Sequence, residues 1–230
     1  MNKQLALAIK LNDEATFTDF NWEGNLLLKQ QLLQLLKHPE ERILYLWGTP
    51  GSGKSHLLQA ACQEVSTRQS AIYLPLRLLK EWGPQTLDGL EEQQLICIDD
   101  VDIISGNNEW EEALFHLYNK IRDNSEHILI ISGNQTPNNL EIKLPDLRSR
   151  IGWGLVIQVH ELSDEEKINT LSLHATKRGF HLPAGVGQLL LTRCSRNMHD
   201  LHQLLNQLDD ASLAAQRKIT IPFAKEILDI

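Results

Sequence analysis

Short apolar runs recur along the first two-thirds of the chain, and stretches of helical spacing separate them. ILYLW at 43–47, AIYLP at 71–75, LICID at 95–99, HILIIS at 127–132 and LVIQV at 155–159 are nearly continuous in apolar residues. Runs of that length and character suit strands buried on both faces. Residues 26–37 (LLLKQQLLQLLK) form an amphipathic helical pattern, and a second helix is expected from about Lys54 to Glu64. In EWEEALFHLYNKIRD, at 109–123, Trp110, Ala113, Leu114, Leu117, Tyr118 and Ile121 fall on one helical face. Strands alternating with helices predict an α/β fold with a five-stranded parallel sheet and right-handed crossovers.

Beyond Val159 the strand pattern stops. Ser163 followed by Glu166 has the spacing of a capping box and opens a helix. A second helix follows Leu182 and Pro183. A third runs from about Met198 to Gln216, with Leu201, Leu204, Leu205 and Leu208 on one stripe, and Pro222 sits near the start of a last short helix. The expected organisation is a tail at 1–12, a strand-rich domain at 13–161 and a small all-α domain at 162–230. No internal repeat is evident.

Composition narrows the classes. Of 230 residues, 42% are hydrophobic and 23% charged, a balance that suits a packed globule rather than a disordered chain. The formal net charge of −8 argues against a protein that grips DNA through its phosphates. Cys62, Cys97 and Cys194 lie far apart and form no CxxC pair, which argues against a zinc ribbon or a disulfide scaffold and suits a reducing compartment. No apolar run approaches the roughly 18 residues of a membrane span, and the first eleven residues are too polar for a signal peptide. The expected location is cytoplasmic, with no membrane partner.

The chemistry concentrates between 48 and 55. Gly48, Thr49, Pro50, Gly51, Ser52, Gly53, Lys54 and Ser55 fit G-x-x-x-x-G-K-[ST], between an expected buried strand and an expected helix. Glycines let successive backbone N–H groups turn toward one anion, and a helix N-terminus adds partial positive charge. Lys54 is placed to reach β- and γ-phosphates, and the Ser55 hydroxyl to ligate Mg²⁺. Such a loop needs an acidic partner at the end of a nearby strand, and Asp99 supplies it for the metal. Asp100 stands where a base would orient an attacking water. Asn134, after the fourth strand, is a candidate γ-phosphate sensor; turn chemistry before Pro137 explains it almost as well.

These residues, with the helical C-terminal part, resemble an AAA+ ATPase module: an AAA+ P-loop NTPase-like five-stranded parallel sheet flanked by helices and followed by a small all-α lid. The finer resemblance is to the family of the replication initiator DnaA and its shortened, Hda-type regulatory branch. It rests on the W-G-x-x-G-x-G-x-S-H-L-L run at 47–58, LPDLRSRIGWG at 144–154, LSDEEK at 162–167, RGFHLP at 178–183 and LDDASLAAQRKITIPFAKEIL at 208–228. It spans nearly the whole chain.

The resemblance implies several roles. Arg150 matches the arginine finger that points into a neighbouring subunit's nucleotide site, where a guanidinium offsets transition-state charge and is worth about 10³–10⁵ in rate. His56 joins the nucleotide-binding set. His199 occupies the sensor 2 position usually held by arginine, with Arg196 one turn earlier. A mostly neutral imidazole is no substitute for a permanent cation, so self-hydrolysis is in doubt. His199 and His202, three apart, have no acidic or Cys partner in view and read as solvent-facing. Gln4, Leu5, Leu7 and Ile9 resemble a sliding-clamp-binding peptide, with Ala6 and Ala8 in place of the usual serine and proline. The expected cofactor is ADP or another nucleoside diphosphate, with Mg²⁺ optional. The expected partners are DnaA and the DNA polymerase III β sliding clamp, with no direct sequence-specific nucleic acid and a homodimer left open. The implied function is negative regulation of replication initiation by activating a partner's ATPase in trans. The alternatives are a self-standing AAA+ ATPase, such as a helicase loader or remodeller, and an adaptor whose nucleotide is structural.

Overall fold

A computed structural model of the protein describes residues 11–37, 41–123 and 127–230. The chain divides into two compact units. The first takes in residues up to Thr49 and Lys54–Val159; the second takes in Pro50–Gly53 and His160–Ile230.

In the first unit, β1 (Ile43–Trp47), β2 (Ala71–Pro75), β3 (Leu95–Asp99), β4 (Ile128–Gly133) and β5 (Leu155–Gln158) form one sheet in the order β2-β3-β4-β1-β5. Every neighbouring pair is parallel. Both sheet faces are covered, which is why the strands read as nearly unbroken apolar runs. Leu44, Leu46, Leu95, Cys97, Ile128 and Ile130 pack with α1 (Leu26–Lys37) and α2 (Lys54–Ser66), which contribute Leu28, Leu32, Leu57, Leu58 and Cys62. On the other face Tyr45, Ile96, Ile98, Leu129 and Ile131 pack with Trp110, Leu114, Leu117, Tyr118 and Ile121 of α4 (Asn108–Asp123). The expected face of α4 is therefore the buried one, with one addition: Glu111 is also buried.

Between β2 and α4 the chain makes a short helix α3 (Leu76–Leu79) and a series of single 3₁₀ turns. Between β4 and β5 lies α5 (Pro145–Trp153), which apolar periodicity alone did not indicate. Only Leu147 and Ile151 of its nine residues are buried, so its apolar stripe is too narrow to stand out in the pattern.

The second unit holds four helices: α6 (Asp164–Lys177), α7 (Ala184–Arg193), α8 (Met198–Ala215) and α9 (Ile221–Leu228). Its core is built from Leu171, Val186, Leu190, Leu201, Leu205, Leu208 and Phe223. The capping box at the start of α6 forms as its spacing predicts. The Glu166 N–H donates to Ser163 Oγ at 3.3 Å, and the Ser163 N–H to Glu166 Oε2 at 2.5 Å. Pro222 lies in the first turn of α9, behind a Thr220 cap.

Candidate functional site

The glycine loop leaves the C-terminal end of β1, an interior strand between β4 and β5, and α2 begins at Lys54. In open parallel sheets this edge, outside the strands' carboxyl ends, is where ligands bind. Gly51 and Gly53 have φ of 86° and 101°, conformations that glycine adopts without a steric cost. Ser52 is buried, and its Oγ has no hydrogen-bond partner among the described residues. A buried hydroxyl without a partner in a glycine loop is suited to an anion's oxygen.

Lys54 is only 5% exposed. Its Nζ donates to Gly48 O at 2.7 Å, Thr49 O at 3.0 Å and Asn134 Oδ1 at 3.2 Å. Three neutral acceptors hold the ammonium inside its own loop. Burial pulls its pKa below the usual lysine value, while the charges of Asp99, Asp100 and Asp102 oppose that pull. A phosphate would give this cation a formal negative partner that its neutral acceptors do not.

Strand order explains why Asn134 and Asp99 join it. β4 lies beside β1 and β3 beside β4, so their C-terminal ends line up on the edge that carries the loop. The Asn134 N–H donates to Asp102 Oδ2 at 2.7 Å, and Tyr45 O–H to Gln135 O at 2.7 Å, so the turn after β4 is pinned at two points. Gly133 is required there, because a Cβ would sit 2.1 Å from the Tyr45 hydroxyl oxygen.

Asp99, 2% exposed, accepts from the Tyr73 hydroxyl on Oδ2 at 2.6 Å and from the Ser132 hydroxyl on Oδ1. Asp100 adopts φ 60° and ψ 50°, a left-handed conformation that aspartate tolerates better than most residues. Its backbone N–H donates to Ser132 Oγ at 3.1 Å, and its carboxylate pairs with Arg77 Nε at 3.2 Å. Burial and the neighbouring Asp99 charge push the Asp100 carboxyl above the ordinary range, and Arg77 opposes the shift. Ser55 and Asp99 are hard oxygen donors that suit Mg²⁺. Among the described residues no group of three or more His, Cys, Asp or Glu side chains would hold a metal by itself, so such an ion would rely on phosphate and water oxygens.

The remaining candidates make other hydrogen bonds. His56 Nε2 bonds Thr16 O at 2.8 Å, and its ring packs beside Phe20. His199 belongs to the second unit. Its N–H donates to the Asn197 side chain that caps α8, and its Nε2 lies 3.0 Å from Gln203 Nε2. Arg196 pairs with Asp164 at 3.4 Å. His202 is not turned wholly to solvent, because its ring packs edge-on to buried His174 at 4.6 Å. Gln4, Leu5, Leu7 and Ile9 lie outside the described residues.

Arg150, on α5, rests against α4. Its guanidinium donates to Asn119 Oδ1 and sits 4.8 Å from the Phe115 ring centroid. Tyr118 O–H donates to the Arg150 carbonyl at 2.9 Å. All these partners belong to α4 and none to the chain's own glycine loop. The loop before α5 is fixed by Glu111, which accepts the N–H groups of Gly106, Lys143 and Leu144 at 2.7, 3.1 and 2.8 Å. Sequence reasoning missed Tyr73, Ser132, Asp102, Glu111, Phe115 and Asn119. Period-two alternation was the available signal for two of them, since it turns Tyr73 and Ser132 to the α2 side of the sheet.

The five-stranded parallel sheet, the glycine loop leaving its interior strand β1, the acidic residue ending a strand two places away and the following helical unit define a P-loop protein of the AAA+ class. Residues 164–228 match the family model described as the Hda lid domain, and residues 85–158 match that of the bacterial DnaA ATPase domain. An uncharacterised protein of Haemophilus influenzae is 44% identical over 231 residues, covering 100% of both chains. Domain III of Thermotoga maritima DnaA has the same fold, with a TM-score of 0.79 at 22% identity over 96% of this chain and 98% of that one. DnaA of Aquifex aeolicus bound to AMPPCP follows, with a TM-score of 0.71 at 22% identity over 86% of this chain and 66% of that one. The Holliday junction branch migration motor RuvB of Thermotoga maritima scores 0.65 at 15% identity, over 90% and 69%. The chain belongs to the Hda-like, DnaA-related family of AAA+ proteins.

Proposed function

We propose that this protein is a negative regulator of replication initiation that acts on DnaA. It holds an adenine nucleotide, in the diphosphate form, on the loop at Gly48–Ser55. Its N-terminal segment, through Gln4, Leu5, Leu7 and Ile9, docks on the sliding clamp. Arg150 then enters the ATP site of DnaA and stimulates hydrolysis there, leaving DnaA in its ADP form. The charge balance supports contact with DNA through partners rather than directly.

The observation that carries this reading is the placement of Arg150. It is a permanent cation on a partly exposed helix, stacked on a ring and free of any bond to its own phosphate loop. Held by neutral partners outside that loop, the guanidinium keeps its full charge for a nucleotide site other than its own. Arg150→Ala should lower the stimulated hydrolysis of DnaA-bound ATP by about 10³-fold or more while capture by the clamp is unchanged. Stimulation that persists in the variant sinks the finger assignment.

One observation favours a self-standing ATPase instead. Lys54, Asp99 and Asn134 converge as a working triphosphate site requires, with Asp100 beside them. Turnover of ATP by the isolated protein, lost in Asp100→Asn, would support that reading.

A further inference from the structure

The residues suited to hold a metal beside the phosphates are Ser55 and Asp99, and a third hydroxyl stands with them. Tyr73 is the middle residue of β2. The register sets Tyr73 opposite Cys97 and Pro75 opposite Asp99, so alternation turns Tyr73 and Asp99 to the same face of the sheet. That face packs on α2, whose first turn contains Ser55. The Tyr73 O–H donates to Asp99 Oδ2 at 2.6 Å. The other oxygen of Asp99 is taken by Ser132, which is held in turn by the Asp100 N–H. Both carboxylate oxygens therefore have neutral hydroxyl donors.

This arrangement satisfies the carboxylate without a cation. A divalent ion, or its water shell, would have to displace one of these hydroxyls to reach Asp99.

We propose that Tyr73 keeps a divalent cation out of this site: its hydroxyl occupies the Asp99 oxygen that a cation or its water shell would need, so the loop takes a nucleoside diphosphate with no bound metal. The inference rests on the nucleotide reading given above. Lys54 and the loop N–H groups then supply the countercharge, and a diphosphate demands less of it than a triphosphate.

The test is calorimetric titration of the full chain with ADP, in saturating Mg²⁺ and again in excess EDTA. In the wild type the two dissociation constants should agree within about threefold. Tyr73→Phe removes the hydroxyl and keeps the ring, and in it Mg²⁺ should tighten ADP by about tenfold or more. Adding Asp99→Asn to that variant should erase the gain. A wild type that loses ADP about tenfold in EDTA overturns the inference whatever the variant does. So does a Tyr73→Phe protein that answers Mg²⁺ just as the wild type does. Failure of the wild type to bind ADP in either condition sinks the nucleotide reading itself.

Discussion

Asp100 shows how much of this site is set by single-residue electrostatics. Its carboxyl is raised first by burial and then by the Asp99 charge, with Arg77 opposing. Between the ordinary aspartate range and the raised value, the folded chain holds a proton that the unfolded chain has lost. Stability therefore falls as pH rises through that window, and the ionised carboxylate remains a cost above it. The Arg77 partner is 64% exposed, so the pair recovers little of that cost. Asparagine accepts the same left-handed backbone. Asp100→Asn should accordingly melt higher than wild type at neutral pH, with the advantage shrinking as pH falls through the window. Melting curves across pH check this, and an advantage that grows toward acid would contradict the assignment. Lys54 shows a related tension. A buried ammonium held by neutral carbonyl and amide oxygens is a cation awaiting an anion.

At the scale of elements, α5 matters most to the proposed activity and was the helix least visible as a pattern. Its position depends on a residue of another helix. Glu111 is 1% exposed and accepts three backbone N–H groups, two of them just ahead of Pro145. Its neighbours Glu109 and Glu112 in the same helix are exposed. Glu111→Ala would leave those buried donors without their acceptor, at a cost of about 3 kcal/mol. Urea unfolding measures that loss. The same variant should lose stimulation of DnaA-bound ATP hydrolysis while retaining ADP affinity, because Glu111 does not touch the glycine loop.

At the scale of the whole molecule, strand runs give way to 3.6-residue spacing near residue 160, and the apolar residues on either side of that change pack into different clusters: two against the faces of the sheet and a third within the helical unit. The proposed clamp contact belongs to this scale, since a weak peptide contact gains from a second tethered contact. Deleting residues 1–10 should abolish capture by immobilised clamp and leave ADP binding within about twofold of wild type. Full capture by the shortened chain would remove the clamp from the proposal.

The linear order of residues determined the strands, most of the helices, the glycine loop and its acidic partner. Those features are local: burial on two faces demands continuous apolar runs, and phosphate chemistry demands glycines and a lysine at fixed spacing. Only the tertiary structure decided what surrounds them. Sheet order brought Asn134 and Asp99 to the loop across strands far apart in the chain. Register turned Tyr73 onto Asp99, and packing of α4 laid Asn119 and Phe115 under Arg150. Hydrogen bonds between residues 26 to 80 positions apart leave no periodic trace, because each depends on two strands or helices meeting at one register.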